Sequence, residues 1–510
     1  MAQNLKAIYE GSFVKGYNDK DKPENLRGSK GEVYMADIKN GFIEQNKIVK
    51  RKGYATIGDA PESKAILGQA RHEPSGGSKY ILRARNNSGD TQSEVEGWSG
   101  SGNWTSLTGA ISQTADLKHN FVMAENATYI FNGTDTVLKT TNGTSTSTVA
   151  AIPKGSDAKW WHNFLFVIGV SGNKSRLYFS DVNEPETFDG ANGFIDVNAD
   201  DGEEITAIAA LQDTLFIFKP TKIFTLTGYG VSDFTLADLG DFAAGGVGTI
   251  APQSVVETGK DIFYMSYFGD TPHFRSIQRT REGFFVDYGI ISDNITGTMD
   301  RLTTSQLSNT SGIFDGRRLW QAVTTSGTTN NEVLVYDTLT KGWTRLDGIN
   351  ASVFHLSTIS GSPVIYFGSS SANGKSYQLL SGTNDDGSAI DFLIDTPMYA
   401  PSPGAKSRFK YLYMTADVSS DVDIDVDYSP DGFTFTDLST LELTGEGAAF
   451  GTAVFGTSKF GATAVARNRL DFAGGQAYYM QYRFRNNTTD EDVSIREWEI
   501  FYKSRGLRSL

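Results

Sequence analysis

The chain has 510 residues with 46 Lys+Arg against 60 Asp+Glu, and its formal charge of −14 argues against broad binding to nucleic-acid phosphates or anionic membranes, though not against an acidic lumen through which DNA slides. It has no Cys, which excludes disulfides, thiolate metal sites and a Cys nucleophile. The length implies two or three domains or one large repeat-built domain, and the 54 Gly, many beside Asn, Asp, Ser or Thr, are turn chemistry that predicts an all-β chain.

Residues 1–60 are rich in Lys, Asp and Asn, with sparse apolar anchors at Leu5, Ile8, Phe13, Val33, Met35 and Ile38. They read as an extended N-terminal arm that gains structure by packing on other surfaces. The opening residues lack the apolar core of a signal peptide, and no run of about 18 apolar residues exists. The expectation is a protein made in a cytoplasm, with no membrane insertion by itself.

From about residue 78 the chain predicts paired short strands: 80–84 with 103–107, 127–131 with 136–139, 163–168 with 175–180, and 214–218 with 222–226. Three more pairs follow, 261–265 with 283–287, 318–323 with 332–336, and 363–367 with 376–380. The units recur every 35 to 57 residues or so, close to the blade length of propeller repeats. They predict a β-propeller of six to eight blades over residues 61–395, with a sandwich array or a solenoid as the competing architectures. Residues 396–404 then break any ladder with Pro397, Pro401, Pro403 and Gly404. Beyond them, 408–414, 422–428, 478–485 and 494–502 alternate with period two, which predicts a β-sandwich over 396–510. No helix longer than two or three turns is expected.

The search for chemistry yields no site. His72, His119, His162, His273 and His355 are too far apart in sequence to pair on one helix or hairpin, so no metal centre is expected. The stretch from Gly368 to Gly374, Lys375 and Ser376 looks like a phosphate loop, but position 369, where the motif needs Gly, is Ser, and strands flank it. Asp196, Asn198, Asp200, Asp201 and Gly202 start like a calcium loop, yet the Gly is one position late and the twelfth place is Ala207. Asp421, Asp423, Asp425 and Asp427 fall on one face of a strand; a solvated edge is the plain reading, a calcium site the sharper one. Asp200, Asp201, Glu203 and Glu204 are adjacent turn acids rather than a defined pair across a cleft. Tyr428, Ser429, Asp431, Gly432 and Phe435 are one residue short of the Asp-box turn of sialidases and resemble more the structural hairpin of discoidin-like and other carbohydrate-binding sandwiches. Asn126-Ala-Thr128 and Asn132-Gly-Thr134 read as turns, and the basic end from Lys503 to Leu510 as a solvated tail or a docking arm. No catalytic, metal or cofactor-binding residue emerges, no cofactor is expected, and the expectation is a protein that is not an enzyme.

One resemblance stands beside this reading. Gly16-Tyr-Asn-Asp19, Asn25-Leu26, Gly31-Glu32, Asp37-Ile-Lys-Asn40, Gly41-Phe42 and Lys50-Arg51-Lys-Gly53-Tyr54 follow one another ahead of the repeats. Arg176-Leu-Tyr-Phe-Ser180 then precedes Asn183-Glu-Pro185 and Thr187-Phe188-Asp189. Phe216-Ile-Phe-Lys219 precedes Ile223 to Gly228, and Gly283 to Asp287 precedes Ile290, Ser292 and Ile295. In this order the motifs resemble the tail hub or nozzle proteins of short-tailed bacteriophages, with Lys52 where Pro is usual. The resemblance implies a structural virion protein of the viral tail: a homo-oligomeric ring, six-fold favoured, below the portal and adaptor proteins. Its channel would pass DNA during genome ejection without specific binding, and assembly into the virion would take place in the host bacterial cytoplasm. The alternative is a glycan- or receptor-binding propeller and sandwich, an adhesion protein or a lectin; a propeller glycosidase ranks third.

Overall fold

The computed structural model describes residues 5–27, 33–60, 62–239, 247–268, 271–278, 289–402, 404–418, 420–444, 464–471 and 475–504. Among the described residues strand dominates, and helix is confined to short pieces such as the single turn Thr296–Asp300. Among the described residues seven sheet units of antiparallel neighbours follow in chain order, within the six to eight expected. Their innermost strands are Ile66–His72, Asn120–Ala124, Asp157–Trp161, Ala207–Leu211, Val256–Glu257, Ser311–Phe314 and Ala351–Ser357. Each neighbours the next, and the last lies against the first, so the sheets are the blades of a closed β-propeller. Among the described residues, no helix is long and apolar enough to cross a membrane.

Closure comes from the N-terminal segment. Strand Tyr54–Ile57 pairs antiparallel with Ser376–Leu379 and forms the outer strand of the seventh blade. The chain then turns directly into the inner strand of the first blade, so the two ends of the ring share one sheet. Blade interiors show why these segments are strands. Phe164–Ile168 reads FLFVI and is buried throughout, as a strand sandwiched between two neighbouring blades must be. Two-residue turns with both residues left-handed join several hairpins: Glu125 and Asn126 (φ 47° and 66°), and His162 and Asn163 (φ 48° and 62°).

Five predicted pairs are adjacent strands of blades 2, 3, 4, 6 and 7. The pairing of 80–84 with 103–107 is not formed. Tyr80–Asn86 instead lies between Ile66–His72 and Gln92–Trp98, and the short strand Thr105–Ser106 pairs with the latter. Gln92–Trp98 was hidden by its composition, because its buried Glu96 looks like a surface residue until its partners Arg83 and Arg85 are seen. Residues 283–287 lie outside the described residues.

Two facing sheets make the sandwich. One holds Ser407–Val418, Val493–Ser504 and Ala464–Asp471; the other holds Phe392–Asp395, Gln481–Asn486, Val422–Ser429 and Thr436–Leu443. Leu412, Met414, Trp498 and Ile500 share a core with Ile424, Val426, Tyr482 and Phe484. The described part of the first sixty residues is spent inside the same chain. Lys6–Glu10 pairs with Val493–Ser504, and Phe13 stacks on Trp498 at 4.8 Å. Gly41–Glu44 and Lys47–Lys50 extend the first sandwich sheet. Asp37–Lys39 lies parallel to the outer strand Gly342–Asp347 of blade 6 and antiparallel to Phe392–Asp395. Blade 6 and the second sandwich sheet are therefore one continuous nine-stranded sheet.

Candidate functional site

Of the motifs that carry the sequence resemblance, Gly16 to Asp19, Asp37 to Asn40 and Lys50 to Tyr54 meet at the joint between arm, propeller and sandwich, while Arg176 to Ser180 and Phe216 to Gly228 lie on blades 3 and 4 and Gly31, Glu32 and residues 283–287 lie outside the described residues. Asn40 takes the left-handed conformation (φ 56°) that a tight turn between two sheets requires. Its Oδ1 accepts from Arg51 Nε at 2.9 Å and from the Asp347 amide at 3.1 Å, and its Nδ2 donates to the Asp391 carbonyl at 2.9 Å. Arg51 is wholly buried and grips Asp385 with both terminal nitrogens, Nη1 donating to Oδ1 at 2.7 Å. Nη2 also donates to the Asp347 carbonyl at 3.0 Å. Burial pushes the Asp385 carboxyl up, and the Arg51 hydrogen bonds work against that shift. Lys50 donates to Asn486 Oδ1 at 2.6 Å in the sandwich; burial lowers its ammonium, with Glu491 and Asp492 opposing.

The motif glycines are there because backbone passes over backbone. A Cβ on Gly53 would stand 1.8 Å from the Asn384 carbonyl oxygen, and one on Gly16 would stand 2.0 Å from that of Trp343. Beside Gly16, the Tyr17 amide donates to the Trp343 carbonyl at 2.9 Å, and Asp19 accepts from the Gly297 amide at 2.9 Å and from the Thr298 hydroxyl at 2.6 Å. Sequence reading singled out one half of this joint and missed Asp385, Asp347 and Asp391. A buried Arg demands a carboxylate, but a single sequence does not say which of 60 acids supplies it.

The second concave feature is the propeller axis. The starts of the inner strands ring a mouth of about 590 Å³, lined by Lys118, Asn120, Asp157, Thr206, Gln253 and Asn309 among others. It leads to a channel of about 570 Å³ lined by Phe121, Trp160, Phe314 and Phe354 with Lys159 and Glu257. Burial raises the Asp157 carboxyl to about 6, the Ala158 amide and Lys159 oppose the shift, and Glu257 adds to it. Lys118 reaches solvent at the mouth, yet the surrounding walls strip enough water to lower its ammonium to about 8. It donates to the Ser308 carbonyl at 2.9 Å. Glu257 is held by Lys159 at 2.7 Å and by the Ala210 amide at 2.6 Å. These volumes suit a small polar solute and not a DNA duplex.

The other singled-out residues are structural. The five histidines lie on different blades or turns, and no three metal-ligating side chains cluster among the described residues. His72 shares a hydrogen bond with Thr128 Oγ1 at 2.8 Å and His119 with Ser93 Oγ at 3.2 Å. The calcium-like loop is filled by a lysine: buried Lys219 Nζ donates to Asp201 Oδ1 at 2.7 Å and to the Asn198 carbonyl at 3.0 Å. Asp200 and Glu203 stand in the same loop, Glu203 accepting from the Thr221 hydroxyl at 2.6 Å, while Glu204 pairs with Lys174 at 2.6 Å. The phosphate-loop lookalike is a hairpin between Val364–Ser369 and Ser376–Leu379, where Arg83 Nη1 donates to the Gly374 carbonyl at 3.0 Å.

The acidic strand differs from the edge expected of it. Val422–Ser429 lies between Gln481–Asn486 and Thr436–Leu443, its outward Asp425 and Asp427 opposite Arg485 and Arg483. Cross-strand arginines rather than an open edge accommodate the carboxylates. The Asp-turn is a hairpin staple, with Asp431 accepting from the Thr434 and Phe433 amides at 2.9 Å and from Ser429 Oγ at 2.8 Å. Those bonds hold its carboxyl at about 2. Residues 505–510 of the basic end lie outside the described residues.

No family model matches the chain. No curated protein matches it either. Among solved structures it is similar to YCF48 from Cyanidioschyzon merolae, at 13% identity over 64% of this chain and 98% of that one, with a TM-score of 0.40. It is also similar to YCF48 bound to D1 peptide, at 12% identity over 65% and 95% with a TM-score of 0.38. A third is exo-beta-1,3-galactanase from Phanerochaete chrysosporium with galactose, at 9% identity over 89% and 100% with a TM-score of 0.28. At such identities the likeness extends no further than fold.

Proposed function

We propose that the chain is a structural virion protein, a subunit of a bacteriophage tail hub or nozzle ring that surrounds a conduit for genome exit. The observation that supports this reading is the joint. Of the motifs that resemble the tail proteins, those around Gly16, Asn40, Arg51 and Gly53 join blade 6, blade 7 and the sandwich. Their contacts join one part of the chain to another. The propeller's own channel is too small for a duplex, so the conduit of this reading runs between subunits of the ring rather than through one propeller. A formal charge of −14 suits such a lumen, because DNA slides where its phosphates find few cations. The test is location. Gold-labelled antibodies against this chain should decorate the tail end of intact phage particles; particles that never carry the label would rule the reading out.

A further inference from the structure

On the propeller face opposite the funnel mouth, three aromatic rings form a stack that a conduit does not use. Trp161 ends the inner strand of blade 3, His162 begins the left-handed turn after it, and Tyr229 projects from the loop after Ile223–Thr227 of blade 4. The His162 ring lies between the others, 3.9 Å and 17° from Trp161, 4.5 Å and 7° from Tyr229. The base of the stack is anchored. Trp161 is buried and its Nε1 donates to the Gln212 carbonyl at 3.3 Å, while His162 Nδ1 donates to the Gly228 carbonyl at 3.1 Å. The top is open: Tyr229 is 65% exposed with only one face against His162. Asp213, with 72% of its side chain exposed, lies 3.5 Å from His162 Nε2 and beside the Tyr229 phenol. Asp233 fixes the loop from below by accepting the Gly230 amide at 2.7 Å.

We propose that the outer face of Tyr229, with Asp213 at its edge, is a binding platform for a neutral pyranose ring. A sugar offers a flat face of C–H groups that fits a rigid, pre-stacked aromatic ring, and hydroxyls that donate to a carboxylate. A nucleotide would also stack, but its phosphate would be brought against Asp213 and Asp233. A protein partner needs far more than one ring of apolar surface. This site is independent of the conduit reading: a ring subunit and a free adhesin could both carry it.

The test is saturation-transfer NMR and calorimetric titration of the full chain with oligosaccharides of hexoses, N-acetylhexosamines and deoxyhexoses, with tetramethylammonium as the cationic control. At least one series should saturate. Tyr229→Ala should weaken it about tenfold, Tyr229→Phe should preserve it, and Asp213→Asn should weaken it severalfold. Tyr229 is an exposed loop residue, so the unfolding temperature of each variant should match the parent and certify the fold. No saturable sugar, binding unchanged by Tyr229→Ala, tetramethylammonium bound in place of sugar, or a change in assembly mass on Tyr229→Ala would each overturn the proposal.

Discussion

Arg51 and Asp385 lie 334 residues apart in sequence and meet as a buried, two-pronged ion pair, with Nη1 to Oδ1 at 2.7 Å. One comes from the arm just before the strand that closes the propeller, the other from the turn after the blade it closes. The pair therefore fastens the ring at the point where its two ends overlap. Burial raises the Asp385 carboxyl in spite of its partner, which marks the site as costly to desolvate.

Removing one partner should be worse than removing both. Asp385→Asn leaves a buried guanidinium without its counter-charge and should destabilise the chain by about 3–5 kcal/mol, whereas Arg51→Met with Asp385→Leu should lose markedly less. Denaturant unfolding of the two variants beside the parent gives the comparison. Equal losses would mean that the pair is not electrostatically coupled.

The glycines of the joint admit no side chain. Gly53→Ala puts a methyl group 1.8 Å from the Asn384 carbonyl oxygen, where the obstacle is backbone and not a side chain that can swing away. The variant should lose several kcal/mol, of the size seen for severe overpacking. Limited proteolysis should then cut within the arm; an arm as resistant as the parent's would contradict the contact.

Acid should loosen the seam between the last and first blades. His355 is buried on the inner strand Ala351–Ser357 with both ring nitrogens unpartnered, and its ring stacks on Tyr366 at 5.5 Å. Burial chiefly, with Arg71 adding and Glu73 opposing, lowers its imidazolium to about 3. Because the folded value lies below that of the unfolded chain, near 6.5, the folded state binds fewer protons. Its contribution is then whole above that value and is lost as pH falls toward 3, by up to about 1.4 kcal/mol per pH unit. Stability measured from pH 7 to 4 should fall less steeply in His355→Phe; parallel curves would sink the assignment.

The loop that looks like a calcium site should ignore calcium. The Lys219 ammonium already occupies the place a cation would take beside Asp201. Chelator or added Ca²⁺ should leave the unfolding temperature unchanged, while Lys219→Met should destabilise by about 3–5 kcal/mol by orphaning the acid. A calcium-dependent shift in the parent chain would contradict the lysine-filled loop.

The propeller was legible because its blades are local. Phe164–Ile168 and Arg176–Phe179 are joined by a short loop and each reads as a buried or alternating strand. What stayed hidden is non-local or inverted in polarity. Glu96 sits buried in a strand that looks polar, and its meaning depends on Arg83 and Arg85 one strand away. The arm reads as loose because its strands are short and their partners lie hundreds of residues downstream, as Lys6–Glu10 pairs with the closing strand Val493–Ser504. The Tyr229 platform carries no sequence motif, since its three rings come from a strand end and two turns on two blades.

Electron microscopy of the purified chain, dilute and concentrated, with native mass recorded alongside, tests the central claim most directly. The account predicts closed rings of identical subunits whose central pore is wide enough for duplex DNA. A species that remains a monomer at every concentration, and also when mixed with portal and adaptor proteins, would contradict it.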